Sequence, residues 1–317
     1  MNRLPDSSTL LRSLSSLLSE NGISFNSIKI IHRKSCIYVS TFPSEIIKCE
    51  LDSREVTLFC KYLNGLGPNN NGHRGGVEYE ARVYNEILRE TYLSSVRFYG
   101  VGRIKSYGEI WMVLEYKKDG VRLDLHPDIN IIEKAVEWIA KFHLLNESNT
   151  PSFLTLYNEL YYSVWVKKVE NFCNSHNIYS WLFDACSFFK NNIKILTECP
   201  TTLIHGEYYP NNILIEDGIV YPIDWESAAI GVGEIDLASI LEGWDDASIS
   251  QAIKTYTSNR WPNGNFYQEE FKKRFLMAQI YFHLRWLGDG EPEVIKERIK
   301  NNNTINELQQ LTTKLIV

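Results

Sequence analysis

Residues 203–226 read LIHGEYYPNNILIEDGIVYPIDWE, and the fold turns on what they form. His205, Gly206, Glu207 and Asn212 crowd a short, polar, turn-like segment. The apolar run ILI follows, then Asp217-Gly218, then a second apolar run ending in Asp224. An Asp-Gly pair between two short β-prone runs is a strong signal for a two-residue hairpin turn. NILIE and IVYPID are therefore expected as paired strands, with the polar residues at their ends. Polar groups between buried segments need either a structural bond or a chemical task.

The chain of 317 residues is long enough for two lobes with a sizeable core. Its 44% hydrophobic and 23% charged residues are ordinary for a globular protein. A net charge of −6 offers no basic groove for nucleic acid. It does suit a cationic small molecule. Cys36, Cys49, Cys60, Cys173, Cys186 and Cys199 form no CxxC and no Cys/His zinc spacing. Several lie in apolar runs such as TLFCKYL and FDACSFF, which reads as buried free thiols in a reducing compartment. At the start of the chain, Leu10, Leu11, Leu14, Leu17 and Leu18 recur at helical spacing before Gly22, with no continuous apolar signal region. No run is long or apolar enough to span a membrane, so a cytoplasmic location is expected.

Two regions differ in pattern. SIKIIHRKSCIY, EIIKCEL and EVTLFCKYL are rich in β-branched and aromatic residues, with LDSRE as a hairpin turn. VEYEARVYNEILRETY is helical, with Val77, Ala81, Tyr84, Ile87 and Leu88 on one face. VRFYGVGRI and EIWMVLEY read as two further strands joined through Gly108. Residues 1–116 are thus expected as an N-terminal helix and an antiparallel β lobe. KKDGVRLD is a polar connector, and 117–317 form a mainly helical lobe carrying the hairpin. The long helix QEEFKKRFLMAQIYFHLRWLG belongs to that lobe. A β lobe hinged to an α lobe implies a cleft, a common place for ligands.

The order His205-Gly206-Glu207, Asn212, strand pair, Asp224 matches a kinase catalytic loop followed by a metal hairpin. Its logic is positioning and charge neutralisation. Asn212 and Asp224 offer hard oxygens to Mg²⁺, and Glu207 is placed to orient an acceptor hydroxyl and take its proton. The segment resembles the aminoglycoside phosphotransferase and choline kinase family, a branch of the protein-kinase-like fold. That family shows HGD, IDW[DE] and a later G…DLA; this chain has HGE, IDWE and GEIDLASIL.

The resemblance implies a two-lobe α+β fold and an ATP- and Mg²⁺-dependent phosphotransferase acting on a small-molecule hydroxyl. It implies a lysine on the third strand and a glutamate on the following helix: Lys61 and Glu80, with Glu78 as the alternative. The phosphate-covering loop would be YVSTFPSE, where Ser40 and Thr41 replace the usual glycines as donors. Adenine would lie against Glu115, Tyr116 and Lys117. The departure is Glu207 in place of Asp, whose extra methylene moves the carboxylate by roughly one ångström. A nucleotide-binding pseudokinase and a nucleotidyl transferase therefore stand as alternatives. His205 and Asp236 are read as structural, and "HRGG" at 73–76 as a turn whose Arg74 is solvated or reaches phosphate. Glu242, Asp245 and Asp246, around Trp244, form either an acidic surface turn or a cage for an amine.

Overall fold

The computed structural model describes residues 4–36, 42–63, 73–104, 109–125, 128–176, 180–289, 292–300 and 303–316. The chain divides into two compact units: 1–126 with 210–227, and 127–209 with 228–317.

The first unit opens with helix α1 (Ser7–Glu20), capped by the Asp6 carboxylate, which accepts the Ser8 and Thr9 N–H groups at 3.0 Å. Strands β1 (Ile28–Ser35), β2 (Ser44–Leu51) and β3 (Arg54–Tyr62) follow. Asp52 and Ser53 both take positive φ (46° and 69°), the backbone that a two-residue turn between twisted strands requires. Helix α2 (Gly76–Glu86) comes next, then β4 (Phe98–Ile104) and β5 (Glu109–Glu115). The strands form one antiparallel sheet in the order β1-β2-β3-β5-β4. One face of this sheet packs on α1: Leu10, Leu14, Leu17 and Leu18 meet Ile47, Cys49, Leu58, Cys60, Tyr62 and Trp111, all buried. Two local details depart from the sequence reading. Helix α2 stops at Glu86, where Ile87 leaves helical geometry and Leu88–Glu90 continue as a 3-10 turn that buries Leu88. The polar connector holds a short strand, β6 (Val121–Arg122).

The second unit contains helix α3 (Ile129–Leu145), strand β7 (Thr155–Leu156), and helices α4 (Glu159–His176), α5 (Ser180–Asn192) and α6 (Lys194–Thr197). Strand β8 (Thr202–Ile204) then leads into the polar segment. The hairpin β9 (Ile213–Glu216) and β10 (Ile219–Pro222) belongs to the first unit, where β9 pairs with both β10 and β6. Its turn is Asp217-Gly218, with φ of 51° and 74°. The chain returns to the second unit through β11 (Ala229–Gly231), which joins β7 and β8, and α7 (Glu234–Ile240). Helices α8 (Asp246–Arg260), α9 (Gln268–Gly288), α10 (Pro292–Lys300) and α11 (Asn303–Ile316) complete it. α9 is the central helix, packing on α4, α5, α7 and α11. Its Phe271, Met277, Ile280, Leu284 and Leu287 are buried. Among the described residues no helix is long and apolar enough to cross a membrane.

Candidate active site

Alternation along β3 decides where Lys61 points. Cys60 and Tyr62 pack into the α1 core, so Lys61 faces the opposite side of the sheet. There its Nζ lies 2.7 Å from Glu80 Oε2 on α2, 2.7 Å from Asp224 Oδ1 and 3.1 Å from Glu226 Oε2. All four residues belong to the first unit. Glu78, two residues before Glu80 on α2, is exposed. The Phe42 ring lies under the ammonium at 5.6 Å. Phe42 also crowds Gly76, which starts α2 with φ +81°, and a Cβ there would meet the ring at 3.3 Å.

Asp224 stands two residues beyond the end of β10. The Ile223 N–H donates to the Asn212 carbonyl at 2.9 Å, so Asn212 and Asp224 flank the open end of one hairpin. Asp224 takes φ +65°, a left-handed conformation that Asp tolerates better than most residues. Behind it Trp225 is fully buried and its indole N–H donates to the Pro222 carbonyl at 3.2 Å. Glu226 ties the turn to α2. Its carbonyl accepts the Gly75 N–H at 2.8 Å, and its carboxylate lies 3.4 Å from Arg74 Nε.

Three carboxylates thus share one ammonium and one guanidinium. Burial opposes the charge on Lys61, but Asp224, Glu80 and Glu226 outweigh it and hold its pKa above the usual lysine range. Burial pushes Glu80 up to about 7 although Lys61 pulls the other way, and burial raises Glu226 as well. Glu80, Asp224 and Glu226 each offer a carboxylate oxygen within 4.8 Å of the others, hard oxygens of the kind a divalent cation takes, and Lys61 Nζ lies within 3.1 Å of all three. Only Asp224 has appreciable exposure (25%, against 2% and 1%), so it meets an entering ion first.

At the end of β5 the Glu115 N–H donates to Arg97 O at 2.8 Å and the Tyr116 N–H to Thr57 O at 3.1 Å. Both amides are therefore engaged inside the first unit. Lys117 bridges Glu115 and Glu216 at 3.2 Å and covers the Tyr221 ring. Ser40 and Thr41 lie outside the described residues.

The polar segment of the second unit is held from beneath. Asp236 on α7 accepts the N–H groups of His205 (2.7 Å) and Gly206 (2.9 Å) and contacts His143 Nε2 at 3.1 Å. His143 Nδ1 meets the Tyr256 hydroxyl at 2.8 Å. Burial keeps the His143 imidazole below its usual range. His205 is fully buried and accepts the Glu207 N–H at 3.3 Å. Both His205 and Asp236 thus brace the loop. Gly206, at φ +81°, permits the sharp turn. The Glu207 carboxylate is 3.0 Å from the Arg285 guanidinium on α9, both residues being buried, and Arg285 also bonds the Tyr209 hydroxyl. Of the three acids after α7, Asp245 caps α8: it accepts the Ala247 and Ser248 N–H groups at 3.0 Å. Glu242 and Asp246 are exposed.

The phosphotransferase enzyme family, APH, matches residues 105–265, just over half of the chain. The chain belongs to the phosphotransferase enzyme family. Solved structures match along nearly its whole length. The choline kinase LicA from Streptococcus pneumoniae is 14% identical with a TM-score of 0.59, covering 91% of this chain and 94% of its own. Aminoglycoside 2'-phosphotransferase-IIIa, solved as a GDP complex, is 12% identical with a TM-score of 0.56, covering 95% and 96%. The amicoumacin kinase hAmiN, in complex with AMP-PNP, Ca²⁺ and Ami, is 9% identical with a TM-score of 0.62, covering 98% and 94%. No curated protein matches. The phosphotransferase therefore has the two-lobe, protein-kinase-like α+β fold, with an antiparallel sheet in the N-lobe and a mainly helical C-lobe.

Proposed function

We propose that this phosphotransferase moves the γ-phosphate of ATP, with Mg²⁺, to a hydroxyl of a small molecule. The observation that carries the proposal is the buried cluster of Lys61, Glu80, Asp224 and Glu226 in a member of this family. In this reading Lys61 pairs with nucleotide phosphates and Glu80 keeps its ammonium in place. Asp224 and Asn212 would hold the metal from the two ends of the hairpin. The ion, when bound, neutralises charge on the phosphate oxygens. Glu207 orients the acceptor hydroxyl and takes its proton as the new oxygen–phosphorus bond forms and the bond to the β-phosphate oxygen breaks. Glu115 and Tyr116 would border the adenine, and Ser40 and Thr41 would cover the phosphates. The AMP-PNP and Ca²⁺ of the amicoumacin kinase complex support a nucleotide with a divalent cation. The six cysteines form no disulfide among the described residues, which fits a reducing, cytoplasmic setting. The acidic balance of the chain accommodates a cationic acceptor.

One observation favours a second reading, a nucleotide-binding protein without transfer: the candidate base is a glutamate already paired with Arg285. An ATP-consumption screen over aminoalcohols, sugars and antibiotics separates the two. Acceptor-dependent turnover, with a product heavier by one phosphate, supports transfer; nucleotide binding without turnover supports the alternative. A product heavier by AMP would indicate nucleotidyl transfer. In Asp224→Ala the turnover falls by about 10²-fold or more. Full ATP consumption by that variant would remove Asp224 from the metal site.

A further inference from the structure

We infer that Arg285 is a positioning residue, which fixes the carboxylate of Glu207 where the reaction uses it. The inference rests on the proposed phosphotransfer. Arg285 stands on α9, 4% exposed, and a guanidinium so buried needs its charge and its fork of N–H groups satisfied. One arm of the fork meets Glu207 Oε1 at 3.0 Å. The other meets the Tyr209 hydroxyl, and the Tyr209 ring lies 5.8 Å from the guanidinium centre. Arg285 thus holds two residues of the loop, on either side of Tyr208. Tyr208 is itself buried, with its hydroxyl donating to the Ala135 carbonyl at 2.9 Å.

The other end of the Glu207 side chain is fixed independently. Asp236 accepts the two preceding amides, and His205 accepts that of Glu207 itself. Backbone and carboxylate are therefore both held, by α7 and by α9. A glutamate has one more rotatable bond than an aspartate and places its oxygens roughly one ångström farther out. Loss of that precision is expensive, since misplacement of about an ångström costs on the order of 10²-fold in rate. Arg285 supplies the missing constraint at the distance that the longer side chain reaches. Glu207 and Arg285 are a matched pair, and a shorter acid at 207 would stretch the contact.

A buried ion pair could equally serve stability alone, so the test must separate the two roles. It uses the full chain and an acceptor found in the screen. The variants are Arg285→Gln, Arg285→Lys, Glu207→Asp and the double variants, with kcat, KM for ATP and the urea midpoint measured for each. The expected order of kcat is wild type, then Arg285→Lys, then Arg285→Gln, the last lower by about 10- to 100-fold. KM for ATP stays within about twofold, because Arg285 removes no uniform binding. In the double variant Glu207→Asp with Arg285→Gln, kcat falls little below the worse single variant, since both remove one interaction. If the kcat losses multiply, or if Arg285→Gln keeps wild-type kcat while its urea midpoint drops, the pair is structural and the inference is overturned. Should Arg285→Gln fail to fold, the cycle runs with Arg285→Lys, which keeps the charge and loses the fork. A wild-type protein that turns over no acceptor removes the proposed function, a result distinct from a multiplicative cycle; the positioning role then falls with it.

Discussion

His283, two residues from Arg285 on α9, is 5% exposed, and burial lowers its pKa to about 4. Unfolded, the same imidazole titrates near 6.5. Between those values the unfolded chain binds more protons, so stability rises with pH across the window. The contribution is fully present above 6.5 and is lost as pH falls through about 4; the gap corresponds to roughly 3 kcal/mol. We predict that His283→Gln flattens the dependence of the urea midpoint on pH between about 4 and 6.5. Equal slopes for variant and wild type would show that another group carries the acid sensitivity. His143, lowered by burial in the same sense, keeps a residual slope in the variant. At this scale sequence reading works where partners follow one another in a fixed order of elements. Lys61 ends a strand, and Glu80 sits on the next helix, 19 residues on. It fails where the partner is remote. Glu226 stands 165 residues from Lys61, and Arg285 stands 78 from Glu207. Glu226 closes the IDWE motif, yet nothing in that motif says that it reaches Lys61, and Arg285 is one cation in a long helical run.

Helix α8 shows how an element claims residues that might otherwise belong to a site. Asp245 accepts the second and third N–H groups of α8, those of Ala247 and Ser248, and the Ser248 hydroxyl at 2.8 Å. These bonds hold its carboxyl below the usual range. We predict that Asp245→Ala lowers the melting temperature through loss of the helix cap, and leaves kcat and the acceptor KM unchanged. A raised acceptor KM at unchanged melting temperature would return Asp245 to the acceptor site. Elements marked by a long unbroken run or a turn pair are legible: α9 spans the run QEEFKKRFLMAQIYFHLRWLG, and the β9–β10 turn falls on Asp217-Gly218. Elements made by partners are not. Val121–Arg122 form a strand because β9 supplies an edge, and their polar surroundings read as a connector. Helix α2 ends at Glu86 and Leu88 is buried in a 3-10 turn, although Ile87 and Leu88 continue the helical apolar spacing, so periodicity alone does not reveal the end.

At the scale of the molecule, the first unit is closed by a segment that the chain delivers late. Residues 1–126 supply Lys61 and Glu80, and residues 210–227, returning after the excursion through 127–209, supply Asp224 and Glu226. A nucleotide with Mg²⁺ held by this cluster would tie together strands far apart in sequence. A ligand that binds only the folded site adds RT ln(1 + [L]/Kd) to the free energy of every opening that breaks the site. At one hundred times Kd that is about 2.7 kcal/mol, or roughly 100-fold slower exchange of the amides that such openings expose. We predict that AMP-PNP with Mg²⁺ slows hydrogen exchange in β3, α2 and the β9–β10 hairpin of the 317-residue chain, and leaves α10 and α11 unchanged. Asp224→Asn keeps a side chain able to hold the left-handed conformation at this position and removes the charge. In that variant the protection that requires Mg²⁺ should vanish while the metal-free exchange pattern stays close to wild type. Protection confined to helices of the second unit, or equal protection in wild type and Asp224→Asn, would place the nucleotide and its metal away from Lys61. The buried carboxylates would then be a structural cluster, with no part in phosphate chemistry.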